Sequence, residues 1–243
     1  MIFDRNLFSL PQSQQSKLSC LPDITETERV LLSTEGEFLK LKKKTFLFNE
    51  GDPASSFFII LSGGVKLTRQ MTYSNVTHQT VVDIVLPGSL IGTALVLNES
   101  QENKFPINGI ALVDSEILVL SKKFYHNNWK QSSNFLALSQ DQLVKRIKKM
   151  QLSQCLQRLT AEKKLAFLLT EIIPLNCDLP LTRSELSDCI GSTTESVIRT
   201  LSRWNREKII QTKNKKICIL DFNQLKKIWQ ADPQFAMSFQ NLP

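Results

Sequence analysis

Towards the C-terminal end the chain carries two helix starts separated by a single glycine. Thr182-x-x-Glu185 opens a stretch with Leu186 and Ile190 on one side. In that pattern a threonine hydroxyl and a glutamate three residues on cap each other's backbone N–H groups. Gly191 follows directly, where a chain turning between two helices wants a left-handed residue. Ser192-x-x-Glu195 then reads as a second capping box starting a helix over residues 193–208, with Val197, Leu201 and Trp204 at i, i+4 and i+7. Helix, glycine turn, helix predicts a helix-turn-helix arrangement. Ile209-Ile210, a polar turn over 212–216 and an apolar end over 217–220 predict a hairpin after it, the wing of a winged helix.

The other face of the second helix carries Thr194, Glu195, Ile198, Arg199, Ser202, Arg203 and Arg206. Set in a major groove, Arg199 can donate a bidentate pair to guanine, and Glu195 can accept from cytosine N4. The two sit at i and i+4 and so share a face. Thr194 offers a methyl to thymine or a hydroxyl to phosphate. Ser192, Thr193 and Ser196 at the helix start, Arg203 and Arg206 along it, and Lys213, Lys215 and Lys216 in the wing are the expected phosphate contacts. Residues 191–216 hold seven Lys and Arg against two Glu, most of the chain's net +7. That concentration is what a polyanion footprint requires.

Residues 37–120 have a different texture. Short runs of β-branched residues, Leu and Phe (38–41, 45–48, 56–61, 65–68, 80–86, 107–112 and 116–120) alternate with turn signals such as Gly51-Asp52-Pro53, Ser62-Gly63-Gly64 and Pro87-Gly88-Ser89. Many short strands at this spacing predict an all-β sandwich, jelly roll or barrel. Thr25-x-x-Glu28 marks a short helix before them, and residues 1–22 read as an irregular arm. Over residues 132–159 the period turns helical. Leu136, Leu143, Ile147 and Met150 form one stripe, with Gln140 in it and Lys145, Arg146, Lys148 and Lys149 off it. A stripe of that length predicts a seam against a second copy or a neighbouring helix. The expected fold is therefore α+β: residues 1–34 an arm and short helix, 35–130 a β-sandwich, 131–160 a dimerisation helix, 161–221 a winged helix-turn-helix and 222–243 an extension.

Other classes find little support. No apolar run approaches the roughly 18 residues of a membrane span, and the first residues lack a signal-peptide core, so the expectation is cytoplasmic with no membrane partner. The five cysteines are odd in number and include no C-x-x-C, so neither disulfides nor zinc is expected. His78 and His126 read as exposed loop residues. No nucleophile–base set or P-loop is evident, and no enzyme is expected.

The stretch Leu181-Thr-Arg-Ser-Glu-Leu-Ser-Asp-Cys-Ile-Gly-Ser-Thr-Thr-Glu-Ser-Val-Ile-Arg-Thr-Leu resembles the helix-turn-helix of the CRP/FNR family of bacterial transcription regulators. Phe48-Asn-Glu-Gly-Asp-Pro-Ala, Phe57-Phe-Ile-Ile-Leu-Ser-Gly-Gly-Val-Lys-Leu and Leu86-Pro-Gly-Ser-Leu-Ile-Gly resemble the glycine turns of that family's cyclic-nucleotide-binding jelly roll. The resemblance covers about residues 35–220. It implies a homodimer on double-stranded DNA carrying an inverted repeat with a TGA-type core, and RNA polymerase as a further partner. Glu195 and Arg199 fall on the family's base-reading Glu and Arg, and Thr194 on its variable reading position. The effector pocket departs from the pattern. Gly92-Thr93 stands where cAMP-binding members have Gly-Glu, and Lys104-Phe105-Pro106 where they have an Arg-Ser or Arg-Thr pair. Control by cAMP in the usual way is therefore not expected, nor is an iron–sulfur or haem cofactor. The alternative reading is a sensor module whose β-domain binds a small molecule or a protein, with DNA binding secondary.

Overall fold

The computed structural model describes residues 16–21, 23–73, 76–97, 102–156, 159–172, 181–213 and 216–230. Contacts divide the chain into two compact units, residues 1–69 with 84–144 and residues 70–83 with 145–243.

The first unit is a jelly roll entered through a helix. Helix α1 (Glu26–Glu35) starts on the expected capping box: Thr25 Oγ1 accepts from the Glu28 N–H at 3.3 Å, and the Thr25 N–H donates to the Glu28 carboxylate at 2.8 Å. Among the described residues eight antiparallel strands follow, the end of β4 and most of β5 falling in the second unit: β1 (Glu37–Leu41), β2 (Phe46–Phe48), β3 (Ser56–Ser62), β4 (Val65–Tyr73), β5 (Val76–Val85), β6 (Leu90–Ile91), β7 (Asn108–Ala111) and β8 (Ser115–Ser121). They form two four-stranded sheets, ordered β1-β8-β3-β6 and β2-β7-β4-β5.

Strand β3 shows why its sequence lacks polar alternation. Phe58 and Ile60 point into one core with Phe48, Val65, Leu67, Phe105 and Ile117. Phe57, Ile59 and Leu61 point into the other with Leu32, Phe124, Tyr125, Trp129 and Phe135. A strand covered on both faces is apolar at every position, so the run reads as continuous. The second core also differs from expectation at the N-terminus. Leu18 and Leu21 are fully buried, in and just after a 3-10 turn (Ser16–Cys20), and Arg29 donates to the Leu18 and Leu21 carbonyls at 2.6 and 2.7 Å. This part of the supposed irregular arm is core.

Helix α2 (Lys122–Asn127) corrects the reading of His126 as an exposed loop residue. Its ring is buried, with Nε2 at 2.9 Å from the Val96 carbonyl. His78 lies in β5, but its side chain is outside the described residues. Helix α3 (Ser133–Leu156) then runs for 24 residues. Phe135 and Leu138 anchor its first turns to the core. Leu136 is half-buried, while Leu143, Ile147 and Met150 of the predicted stripe are exposed. Beyond Val144 the helix belongs to the second unit, where Asp83 of β5 pairs with Lys149 and with Arg146 at 3.5 Å.

The rest of the second unit comprises α4 (Ala161–Phe167, extended by a π turn Leu168–Ile172), α5 (Arg183–Ile190), α6 (Thr194–Arg206), β9 (Ile210–Lys213), β10 (Lys216–Ile219) and α7 (Phe222–Gln230). Helix α7 belongs to this core. Trp229 is 2% exposed, meets the Phe167 ring edge-on at 5.2 Å, and donates from Nε1 to Thr170 Oγ1 at 2.9 Å. Cys155, Cys177 and the linker-like stretch 174–180 lie outside the residues whose side chains are described. Among the described residues no helix is long and apolar enough to cross a membrane.

Candidate nucleic-acid interface

Helix α5 begins as its sequence predicts. Thr182 Oγ1 accepts from the Glu185 N–H at 3.2 Å, and Glu185 accepts from the Thr182 N–H at 2.7 Å. The N-cap N–H and one of the open N–H groups of the first turn are thereby satisfied. Gly191 closes the helix at φ 58°, ψ 50°, a conformation that costs any residue with a Cβ about 1–2 kcal/mol. The Ser192 N–H donates back to the Ser187 carbonyl at 3.0 Å.

The second start lies one residue further on than expected. Thr193, not Ser192, is the N-cap of α6: its Oγ1 accepts from the Ser196 N–H at 3.2 Å and donates to Ser196 Oγ at 2.9 Å. The shift has a chemical consequence. Glu195 is not the capping partner, so its carboxylate is not committed to the helix end. The helix also stops at Arg206 rather than 208, because Lys208 turns left-handed at φ 59° and the Ile209 N–H folds back onto the Trp204 carbonyl at 2.9 Å.

Amphipathicity orients α6. Val197, Thr200, Leu201 and Trp204 are buried. Thr194, Glu195, Ile198, Arg199, Ser202 and Arg206 are exposed on the opposite face. The two candidate base readers therefore stand one turn apart on the outer surface, at the N-terminal half of the helix. Ser196 is half-buried and Thr193 exposed, both engaged in the cap. Ser192 is half-buried in the turn.

Arg203 stands apart from the other expected phosphate contacts. Its guanidinium pairs with Glu162 of α4, and the same carboxylate accepts from Trp204 Nε1 at 3.2 Å. Arg203 is half-exposed, and one side of its fork holds the recognition helix onto α4. Sequence reasoning missed Glu162. Its only signal was a lone acid two residues into a helix, which is also what any helix N-terminus favours. The wing forms as predicted, with β9 and β10 antiparallel and Lys213 opposite Lys216. Lys213 is exposed, while Lys215 and the side chain of Lys216 lie outside the described residues.

In the β-domain, Phe105 is buried. Its ring stacks on Phe48 at 4.0 Å, and it lies 3.3 Å from where a Cβ on Gly92 would stand. Gly92 adopts φ 85°. Thr93 is half-buried, and Lys104 is exposed, bridging by its backbone to Pro53. Beside Gly92 the chain therefore presents an aromatic core. Among the described residues no Lys or Arg is buried.

Two units of this kind, a cyclic-nucleotide-type jelly roll and a winged helix-turn-helix, define a two-domain regulator fold. Residues 38–131 match the family model described as the cyclic nucleotide-binding domain, and residues 150–228 match the Crp-like helix-turn-helix domain. The chain belongs to the CRP/FNR family of transcription regulators. Among its relatives, the transcriptional activator protein anr of Pseudomonas aeruginosa is 23% identical over 199 residues, covering 76% of this chain and 77% of that protein. The regulatory protein HlyX of Actinobacillus pleuropneumoniae is 25% identical over 224 residues, covering 85% and 88%. The solved structure of FixK2 from Bradyrhizobium japonicum shares the fold with a TM-score of 0.67 at 18% identity, covering 79% of this chain and 96% of that one.

Proposed function

We propose that the chain is a sequence-specific DNA-binding transcription regulator that works in the cytoplasm as a homodimer on an inverted repeat. The observation that carries this reading is the outward face of α6, where Glu195 and Arg199 stand exposed one turn apart. Arg199 reads a guanine and Glu195 the cytosine amino group of a neighbouring pair. Thr193, Ser192, Ser196, Arg206, Lys213, Lys215 and Lys216 serve the phosphates on either side. The exposed Leu143, Ile147 and Met150 on α3, with Leu136, form the seam between two copies. A two-fold dimer then presents its recognition helices about 34 Å apart, one turn of DNA. RNA polymerase is the further partner such a regulator works with, and the protein is not an enzyme.

The Gly92, Thr93, Lys104 and Phe105 region does not take cAMP in the usual mode. A cyclic nucleotide phosphate needs a buried cation or convergent donors, since burying it bare is costly. Phe105 stacked on Phe48 supplies neither, and exposed Lys104 supplies only a point charge.

The test is Arg199→Ala. Loss of a bidentate guanine contact costs about 1–3 kcal/mol and relaxes discrimination at that base. Competition between matched and guanine-substituted duplexes reads both effects. Unchanged discrimination would remove Arg199 from base reading.

A further inference from the structure

The outward face of α6 is not uniformly polar. Ile198 is 43% exposed, whereas Val197, Leu201 and Trp204 of the same helix are 4% or less. Ile198 immediately precedes Arg199 and stands four residues after Thr194, so Thr194 and Ile198 form a second row beside Glu195 and Arg199.

Thr194 is held in place. Its Oγ1 lies 3.1 Å from Ser187 Oγ on α5, and the Ser187 hydroxyl donates to the Ser184 carbonyl at 2.7 Å. A serine hydroxyl has one proton. With that proton on the Ser184 carbonyl, Thr194 is the donor to Ser187. Its own proton is thereby consumed inside the domain, so towards a base Thr194 has no hydrogen-bond donor to offer and presents its γ-methyl beside an oxygen that can only accept. Two apolar groups therefore adjoin the polar readers. In the major groove one base presents an apolar group, the C5 methyl of thymine.

We infer that Thr194 and Ile198 are a methyl-reading pair that specifies thymine beside the bases read by Glu195 and Arg199, with Ser187 as the positioning residue for Thr194. The inference rests on the DNA-binding function proposed above and adds a base that the charged readers do not specify.

The full-length protein first selects its site from a random-sequence duplex library. Each thymine of the selected half-site is then replaced, one at a time, by deoxyuridine, which removes only the methyl. Affinity is measured by fluorescence anisotropy for the wild type, Ile198→Ala and Thr194→Ser, the last keeping the hydroxyl that reaches Ser187. The expected result is at least one thymine at which deoxyuridine weakens wild-type binding about fourfold, the worth of one buried methyl. That penalty shrinks towards none in one or both variants, while guanine discrimination by Arg199 persists and shows the helix intact. A consensus without thymine, deoxyuridine tolerated everywhere, or a penalty equal in all three proteins would overturn the inference and leave Glu195 and Arg199 standing. A library that returns no consensus would instead overturn base reading altogether.

Discussion

Glu162 and Glu28 show what single carboxylates do in this chain. Glu162 accepts from Trp204 Nε1 and pairs with Arg203, so one group fixes the recognition helix on its support. Glu162→Ala leaves a donor in a buried tryptophan unanswered and is expected to cost about 1–3 kcal/mol in denaturant unfolding. No loss of stability would mean the contact is incidental. Burial acts to raise the Glu28 pKa, but hydrogen bonds from Ser132, the Thr25 backbone, Asn134 and the Thr25 hydroxyl outweigh it, and the carboxyl titrates lower than usual. A depressed carboxyl stabilises the fold above its unfolded pKa, about 4.3, and that support is lost as pH falls through the lower folded value. Glu28→Gln should therefore flatten the acid limb of the stability curve below about pH 4.3 and leave its slope near neutrality unchanged. The Thr25–Glu28 box was legible because capping is a local rule. The Glu28 contacts with Ser132 and Asn134 were not, because they join residues more than a hundred positions apart.

Helices α6 and α7 and the long helix α3 differ in how much of each could be read in advance. The buried face of α6 was legible from the Val197, Leu201 and Trp204 spacing. Its start was misplaced by one residue because Ser192 and Thr193 are both good caps, and only the backbone path decides between them. The role of α7 was not legible, since a short amphipathic stretch does not name its neighbour. The packing of Trp229 on Phe167 and Thr170 makes it part of the winged domain. Trp229→Ala should cost about 3–5 kcal/mol, read as a lowered unfolding midpoint. A loss below about 1 kcal/mol would show α7 to be dispensable. On α3 the same apolar stripe is half-buried at Leu136 and exposed at Leu143, Ile147 and Met150. Ile147→Lys is expected to shift the protein from dimer to monomer in sedimentation velocity, with far-UV circular dichroism unchanged. A dimer that survives this change would place the seam elsewhere.

The whole molecule combines a jelly roll with an aromatic core at Phe48 and Phe105 and a basic winged domain on which Glu195 and Arg199 are exposed. The two β-sheets were legible from short strands and glycine turns, because turn chemistry is written locally. The burial of Phe105 against Phe48 was not legible, because it joins residues far apart in the chain. The account is tested by fluorescence anisotropy of the purified full-length protein on a TGA-core inverted repeat and on a scrambled duplex, without and with cAMP, across salt concentrations. Tight binding to the repeat without cAMP is expected, together with a steep salt dependence that lessens by about one unit of slope for each wing lysine removed. Equal affinity for the two duplexes, or selectivity that appears only when cAMP is added, would contradict it.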